Sequence, residues 1–190
     1  MTVDLHPTAR TLARVVTAVP DHALAGPTPC PEYSVADLLD HVGGLSIAFR
    51  LAATKDNAGD GPPSVDGAGL ADGWRDRIGM ELRALALAWD EPDAWTGMTQ
   101  AGGVELPGEI CGLVALDELL VHGWDLARAT GQTYDVDPAA LDAIQAFLSP
   151  MADGEGTPGL FGPPIPVAPD APLLDRTLGL TGRDPAWSPA

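Results

Sequence analysis

The stretch Ala115-Leu-Asp-Glu-Leu-Leu-Val-His-Gly-Trp-Asp-Leu-Ala127 sets a carboxylate, Glu118, one turn before an imidazole, His122, in an otherwise apolar run. Residues four apart share a helix face. Leu119, Leu120, Val121 and Trp124 make most of the circumference apolar, so the pattern predicts a buried helix. Charge removed from water needs a counter-charge, hydrogen bonds or a metal ion. Glu118 and His122 are therefore either half of a metal site or a satisfied polar pair inside a helical protein.

Outward from that helix, the chain reads as further helices. Leu5, Ala9, Leu12, Val15, Val16 and Val19 recur at helical spacing between Asp4 and Val19, and Pro20 ends the run. Ser34, with Asp37 three positions on, caps a second helix reaching about Thr54. The Gly/Pro/Asp-rich segment 56–69 reads as an exposed, mobile loop. Trp74, Ile78, Leu82, Leu85 and Trp89 mark a third helix over 70–89. A short extended pair is expected around Gly102-Gly103. The fourth helix opens near Pro107 and stops at Gly131. Asp137-Pro138 starts a fifth, reaching about Leu148. Beyond it lie a Pro/Gly-rich segment, a short helix over about 171–180 and a loose C-terminus. Long helices with almost no strand predict an all-α helical bundle, the kind of fold that builds metal sites between facing helices. Residues 1–150 are assigned to the bundle and 151–190 to an extension packing on it.

Composition narrows the function. A chain of 190 residues with two cysteines and a formal charge of −17 fits one domain without a disulfide framework. So acidic a chain argues against nucleic acid, which needs a basic footprint. The start of the chain carries no signal-like apolar run and no stretch is long enough to span a membrane, so a cytoplasmic location is expected. No Gly-x-Ser-x-Gly, phosphate-binding loop or Cys–His motif competes for attention.

His41 is the candidate for the position opposite Glu118 and His122. It lies in Asp37-Leu-Leu-Asp-His-Val-Gly-Gly44 and shares a face with Leu38, Leu45 and Ala48, whereas His6 and His22 have ordinary polar surroundings. Gly43-Gly44 would let another helix approach closely. Two imidazoles and a carboxylate are a common donor set for catalytic zinc, which nickel, iron or manganese also accept. Two segments, Pro29-Cys-Pro-Glu-Tyr-Ser-Val-Ala-Asp-Leu-Leu-Asp-His-Val-Gly-Gly44 and Asp117-Glu-Leu-Leu-Val-His-Gly-Trp-Asp-Leu126, carry a family likeness. Together they resemble the metal-binding domain of mycothiol-dependent maleylpyruvate isomerases, in the DinB-like group of four-helix bundles. The likeness runs from Asp4 to about Leu148, and Gly182-Arg-Asp-Pro-Ala-Trp187 also resembles a branch of short actinobacterial metal-binding proteins.

The resemblance implies a DinB-like four-helix bundle with zinc held by His41, Glu118 and His122. It also implies a mechanism in which a thiol, mycothiol, is activated at the metal and attacks an electrophilic small molecule. Asp125 shares the face of Glu118 and His122; it either supports His122 from behind or pairs with Arg128 or a capping group. Arg50 and Arg128 are candidates for holding carboxylates of the thiol or substrate, against ordinary helix-surface roles. Trp124 either lines the pocket or packs in the core. Cys111, roughly 10 Å along the helix from Glu118, is too far to ligate with it, and Cys30 shapes the loop before the second helix. The isomerases use a second, C-terminal domain in their active site; only about forty residues follow the fifth helix here, and 149–169 is a candidate partial lid. Two classes of function remain open: a metal-dependent thiol S-transferase or isomerase, monomeric or homodimeric, and a non-catalytic metal- or ligand-binding bundle.

Overall fold

The computed structural model describes residues 2–56, 67, 70–151, 154–156 and 162–189. Four helices form the body: α1 (His6–Ala18), α2 (Val35–Thr54), α3 (Trp74–Ala88) and α4 (Gly108–Ala129). Each of α1 and α2 packs against both α3 and α4, so α1 and α2 stand on one diagonal of a four-helix bundle. The all-α bundle expected from the spacing is the observed fold. The periodic residues of α1 (Ala9, Leu12, Val15, Val16) and of α3 (Ile78, Leu82, Leu85) are all buried. Helix α4 is buried on nearly every side, as its apolar circumference requires.

The local signals act as their chemistry predicts. Ser34 and Asp37 form a reciprocal capping box: Asp37 N–H donates to Ser34 Oγ at 3.2 Å and Ser34 N–H donates to Asp37 Oδ2 at 3.0 Å. The Asp137 side chain caps α5 (Pro138–Leu148), accepting from Ala140 N–H at 3.0 Å. Strands β1 (Met98–Ala101) and β2 (Val104–Pro107) form an antiparallel hairpin across Gly102 and Gly103, whose φ angles of 58° and 81° satisfy a tight turn that excludes most other residues. Thr99 Oγ1 pins the hairpin to α2 by donating to Ala52 O at 2.6 Å.

Several boundaries differ from expectation. Helix α3 begins at Trp74 rather than near residue 70, because Gly73 at φ 75° holds a left-handed conformation that helix cannot continue through. The expected mobile loop falls largely on 57–66, 68 and 69, which lie outside the described residues. Where a loose end was expected, residues 173–187 make contacts with the bundle. Helix α6 (Leu173–Leu180) packs on α5, and Arg128 on α4 donates to the carbonyl of Trp187. Of the segment read as a partial lid, 152, 153 and 157–161 lie outside the described residues; the part at Ile165 lies against α6, with Ile165 N–H donating to Gly179 O at 2.8 Å. Among the described residues no helix is long and apolar enough to cross a membrane.

Gly43 faces α3, as expected, but the tighter packing is of two indoles on Gly112 of α4, a glycine the sequence did not single out. A Cβ at Gly43 would meet Ile78 at 3.4 Å, an ordinary contact. A Cβ at Gly112 would lie 2.5 Å from the Trp95 ring and 2.8 Å from the Trp89 ring. Neither indole is free to retreat, since Trp89 Nε1 donates to Phe49 O at 3.1 Å and Trp95 Nε1 to Trp89 O at 2.8 Å. Gly112→Ala is therefore expected to cost about 1–3 kcal/mol through overpacking, read as a lower urea midpoint at unchanged slope.

Candidate metal centre

His41 comes from the middle of α2, and Glu118 and His122 from successive turns of α4, the helix packed beside it. Their ligand atoms converge. Glu118 Oε2 lies 2.9 Å from His122 Nε2 and 4.0 Å from His41 Nε2, and one ligand atom from each residue falls within 4.8 Å of the others. The two imidazoles meet edge-on, with centroids 5.1 Å apart and planes at 83°. Glu118 Oε2 is buried and, despite its proximity to His122 Nε2, receives no hydrogen bond of acceptable direction. A buried acceptor left in that condition is costly, and a cation between the three donors would satisfy it. The donor set thus fits a divalent metal.

Behind the cluster, Asp125 Oδ2 takes the hydrogen bond of His122 Nδ1 at 3.0 Å, leaving Nε2 directed toward Glu118. Of the partners considered for Asp125 (His122, Arg128 or a capping group), the imidazole is the one in contact. Arg128 is engaged elsewhere, with the Trp187 carbonyl and 5.9 Å above the Trp124 ring. The counter-charge for Asp125 is Arg183, whose Nη2 lies 3.1 Å from Oδ2. Sequence reasoning missed Arg183; the available signal was the burial of an acid on an apolar helix, which demands a cation from somewhere in the fold. It also missed Tyr33, whose ring leans on His41 at 5.2 Å between centroids and 50° between planes; nothing in the spacing marks that residue.

The remaining candidates have other partners. Arg50 Nε is 3.5 Å from Glu81 Oε2, joining α2 to α3. Trp124 is buried, with the Arg128 guanidinium 5.9 Å from its ring centroid. Cys111 is buried and Cys30 half-buried, both as free thiols. His22 is exposed. His6 Nε2 pairs with Asp90 at 2.9 Å, and Asp4 caps the His6 backbone N–H at 2.8 Å, so this second acid–histidine cluster is accounted for by surface pairing.

The electrostatics separate the two imidazoles. Burial, with the neighbouring His122 charge, pushes the His41 pKa down to about 4, so His41 is neutral at pH 7. Burial also works against His122 as a cation, but its hydrogen bond to Asp125 and the charges of Glu118 and Asp125 outweigh that and raise it to about 9. Glu118 feels a burial cost too, yet the charge of His122 close beside it holds its carboxyl below the ordinary range. In the metal-free chain, His122 is thus an imidazolium between two carboxylates. Its raised pKa stabilises the fold fully below its unfolded value of about 6.5, and the contribution fades as pH rises through about 9. The protein's own thiols are poor nucleophiles: burial raises Cys30 and pushes Cys111 up to about 12.

Comparison with known proteins follows the same lines. Residues 5–127 match the family model described as the mycothiol maleylpyruvate isomerase N-terminal domain. An uncharacterised protein of Mycobacterium tuberculosis, found in two strains, is 32% identical over 168 residues, covering 84% of this chain and 85% of that protein. The crystal structure of the mycothiol-dependent maleylpyruvate isomerase superposes with a TM-score of 0.66 at 18% identity, over 96% of this chain and 88% of that one. A histidine-to-alanine mutant of that enzyme gives a TM-score of 0.59 at 17% identity, over 80% of this chain and 71% of that one. These superpositions identify the fold as the DinB-like bundle.

Proposed function

The chain belongs to the family of the mycothiol maleylpyruvate isomerase N-terminal domain, and we propose that it binds one divalent metal ion at His41, Glu118 and His122 and uses it to activate a small thiol against an electrophile. The observation that carries this reading is the convergence of two imidazole nitrogens on a buried Glu118 oxygen that lacks a hydrogen bond. Two imidazoles and one carboxylate suit zinc, and nickel, iron or manganese by the same chemistry. When bound, such an ion favours thiolate over thiol near neutral pH. The chain's own residues orient the donors: Asp125 fixes the His122 ring, and α2 and α4 hold the three side chains on facing surfaces. The raised thiol pKa values of Cys30 and Cys111 favour a thiol supplied from outside. Mycothiol is the thiol named for the structural neighbour, and thiol S-transfer or thiol-dependent isomerisation is the reaction class proposed here. Arg50 and Arg128 already have protein partners, so neither is assigned to the thiol.

A non-catalytic reading has one observation in its favour: His122 lies 2.9 Å from Glu118 and 3.0 Å from Asp125, a pairing that needs no metal once the ring is protonated. Elemental analysis of chain purified without chelator, beside His41→Ala, separates the two. Near-stoichiometric metal in the parent and its loss in the variant support the metal centre; a screen of thiols with electrophiles then tests catalysis. A parent that takes up no metal even with added zinc sinks the reading.

Binding should also carry a proton signature. A ligating imidazole must be neutral, whereas His122 holds its proton up to about pH 9. Zinc binding at pH 7 is expected to release about one proton from this residue, seen as a dependence of the calorimetric heat on buffer ionisation enthalpy. The apparent affinity should rise with pH and level off as pH passes about 9.

A further inference from the structure

The C-terminal segment reaches the back of the metal centre through one side chain. Arg183 follows α6, where Gly182 at φ 77° turns the chain and Arg183 N–H donates to Leu178 O at 3.0 Å. Its Nε lies 3.4 Å from Asp125 Oδ1 and 3.3 Å from Oδ2, and its Nη2 lies 3.1 Å from Oδ2. Asp125 is fully buried and the Arg183 side chain is 12% exposed. Both carboxylate oxygens are thereby held, which fixes the plane from which Oδ2 takes the His122 Nδ1 hydrogen bond. That bond in turn sets the rotation of the imidazole that aims Nε2 at Glu118. Nη1 of Arg183 donates to Thr181 O at 3.2 Å, so the guanidinium is itself braced by the turn that delivers it.

We infer that Arg183 is a positioning residue for the metal centre, so that docking of residues 181–187 and occupancy of the His41–Glu118–His122 site favour one another. The inference rests on the metal reading given under the preceding heading. The coupling must be reciprocal: whatever the docked segment adds to metal affinity, the metal adds to the docked segment. Groups that hold a ligating histidine from behind typically affect metal affinity 10–100-fold. A lysine would keep the charge but not the two-pronged grip on the carboxylate.

The test is zinc affinity, by competition with a chelating dye, for the parent, Arg183→Met and Arg183→Lys, with amide hydrogen exchange of 181–187 in the parent with and without zinc. Expected are an affinity about 10–100-fold weaker for Arg183→Met, an intermediate value for Arg183→Lys, and slower exchange of 181–187 on zinc addition. A purely structural Arg183 would lower the unfolding midpoint of the variants but leave zinc affinity and the zinc-dependent exchange unmoved. That result overturns the inference while the metal reading stands. A parent that binds no zinc overturns both. If Arg183→Met does not fold, Arg183→Lys and the parent's exchange decide.

Discussion

His41→Ala and His122→Ala are expected to abolish metal binding alike and to differ sharply in the metal-free fold. Structural zinc sites with four ligands are worth about 10–16 kcal/mol, so removing one donor costs roughly 3–4 kcal/mol, a loss of about 10²–10³ in affinity. Both variants should therefore emerge from purification essentially without metal. Their metal-free stabilities diverge because the two histidines are held differently. His41 is neutral, and its buried Nδ1 has no hydrogen-bond partner. Removing it relieves an unsatisfied group and leaves Glu118, His122, Asp125 and Arg183 in place. His122 is the cation between Glu118 and Asp125. Without it, Asp125 keeps Arg183, while Glu118 loses the imidazolium 2.9 Å away and is left with the His41 ring nitrogen at 4.0 Å. Breaking a buried pair in this way costs about 3–5 kcal/mol. Thermal unfolding in excess chelator should place His41→Ala close to the parent and His122→Ala well below it, by roughly 6–20 °C for a chain of this length. Equal unfolding temperatures would show that His122 carries no charge in the folded chain at that pH.

The reach of the sequence is clearest along α4. The Glu118/His122 spacing, the burial of the run and the turn at Gly131 are local properties, set by helix periodicity and by chemistry within a few residues. The same holds for the Ser34/Asp37 box and the Gly102-Gly103 turn. His41 was legible because so few histidines compete with it and because its segment carries a family pattern. Arg183 was not legible: its contact with Asp125 spans 58 residues, and no periodicity encodes a contact between a helix and the turn after α6. Tyr33 escaped for a similar reason, since its stacking on His41 depends on how the segment before the capping box folds back over α2. The start of α3 was misplaced because Leu70 continues the apolar spacing while Gly73, in a left-handed conformation, breaks the backbone.

Asp117 supplies the other large effect, in the opposite direction. It is 2% exposed, and its Oδ1 is buried without a hydrogen-bond partner. Burial, with the adjacent Glu118 charge, raises its pKa to about 8. The folded chain therefore keeps a proton that the unfolded chain releases near pH 4. A carboxyl shifted in this sense has its full stability below the unfolded value and loses it as pH rises toward the folded value, because the folded state binds more protons throughout the window. Each pH unit in that window is worth up to about 1.4 kcal/mol, so a few kcal/mol should be lost between pH 5 and pH 8. Asp117→Asn removes the titration while keeping the shape. In excess chelator it is expected to be more stable than the parent at pH 8 by roughly 2–4 kcal/mol, with the difference shrinking toward pH 4. Urea midpoints measured across pH 4–8 provide the check. A constant offset between parent and variant would mean that Asp117 is ionised in the folded chain and finds its compensation there. The variant leaves all three proposed ligands in place. A stabilised chain with weakened zinc affinity would show that the buried carboxyl is retained for the metal site at a cost to the fold, whereas a stabilised chain with full affinity would leave its retention to packing along α4 alone.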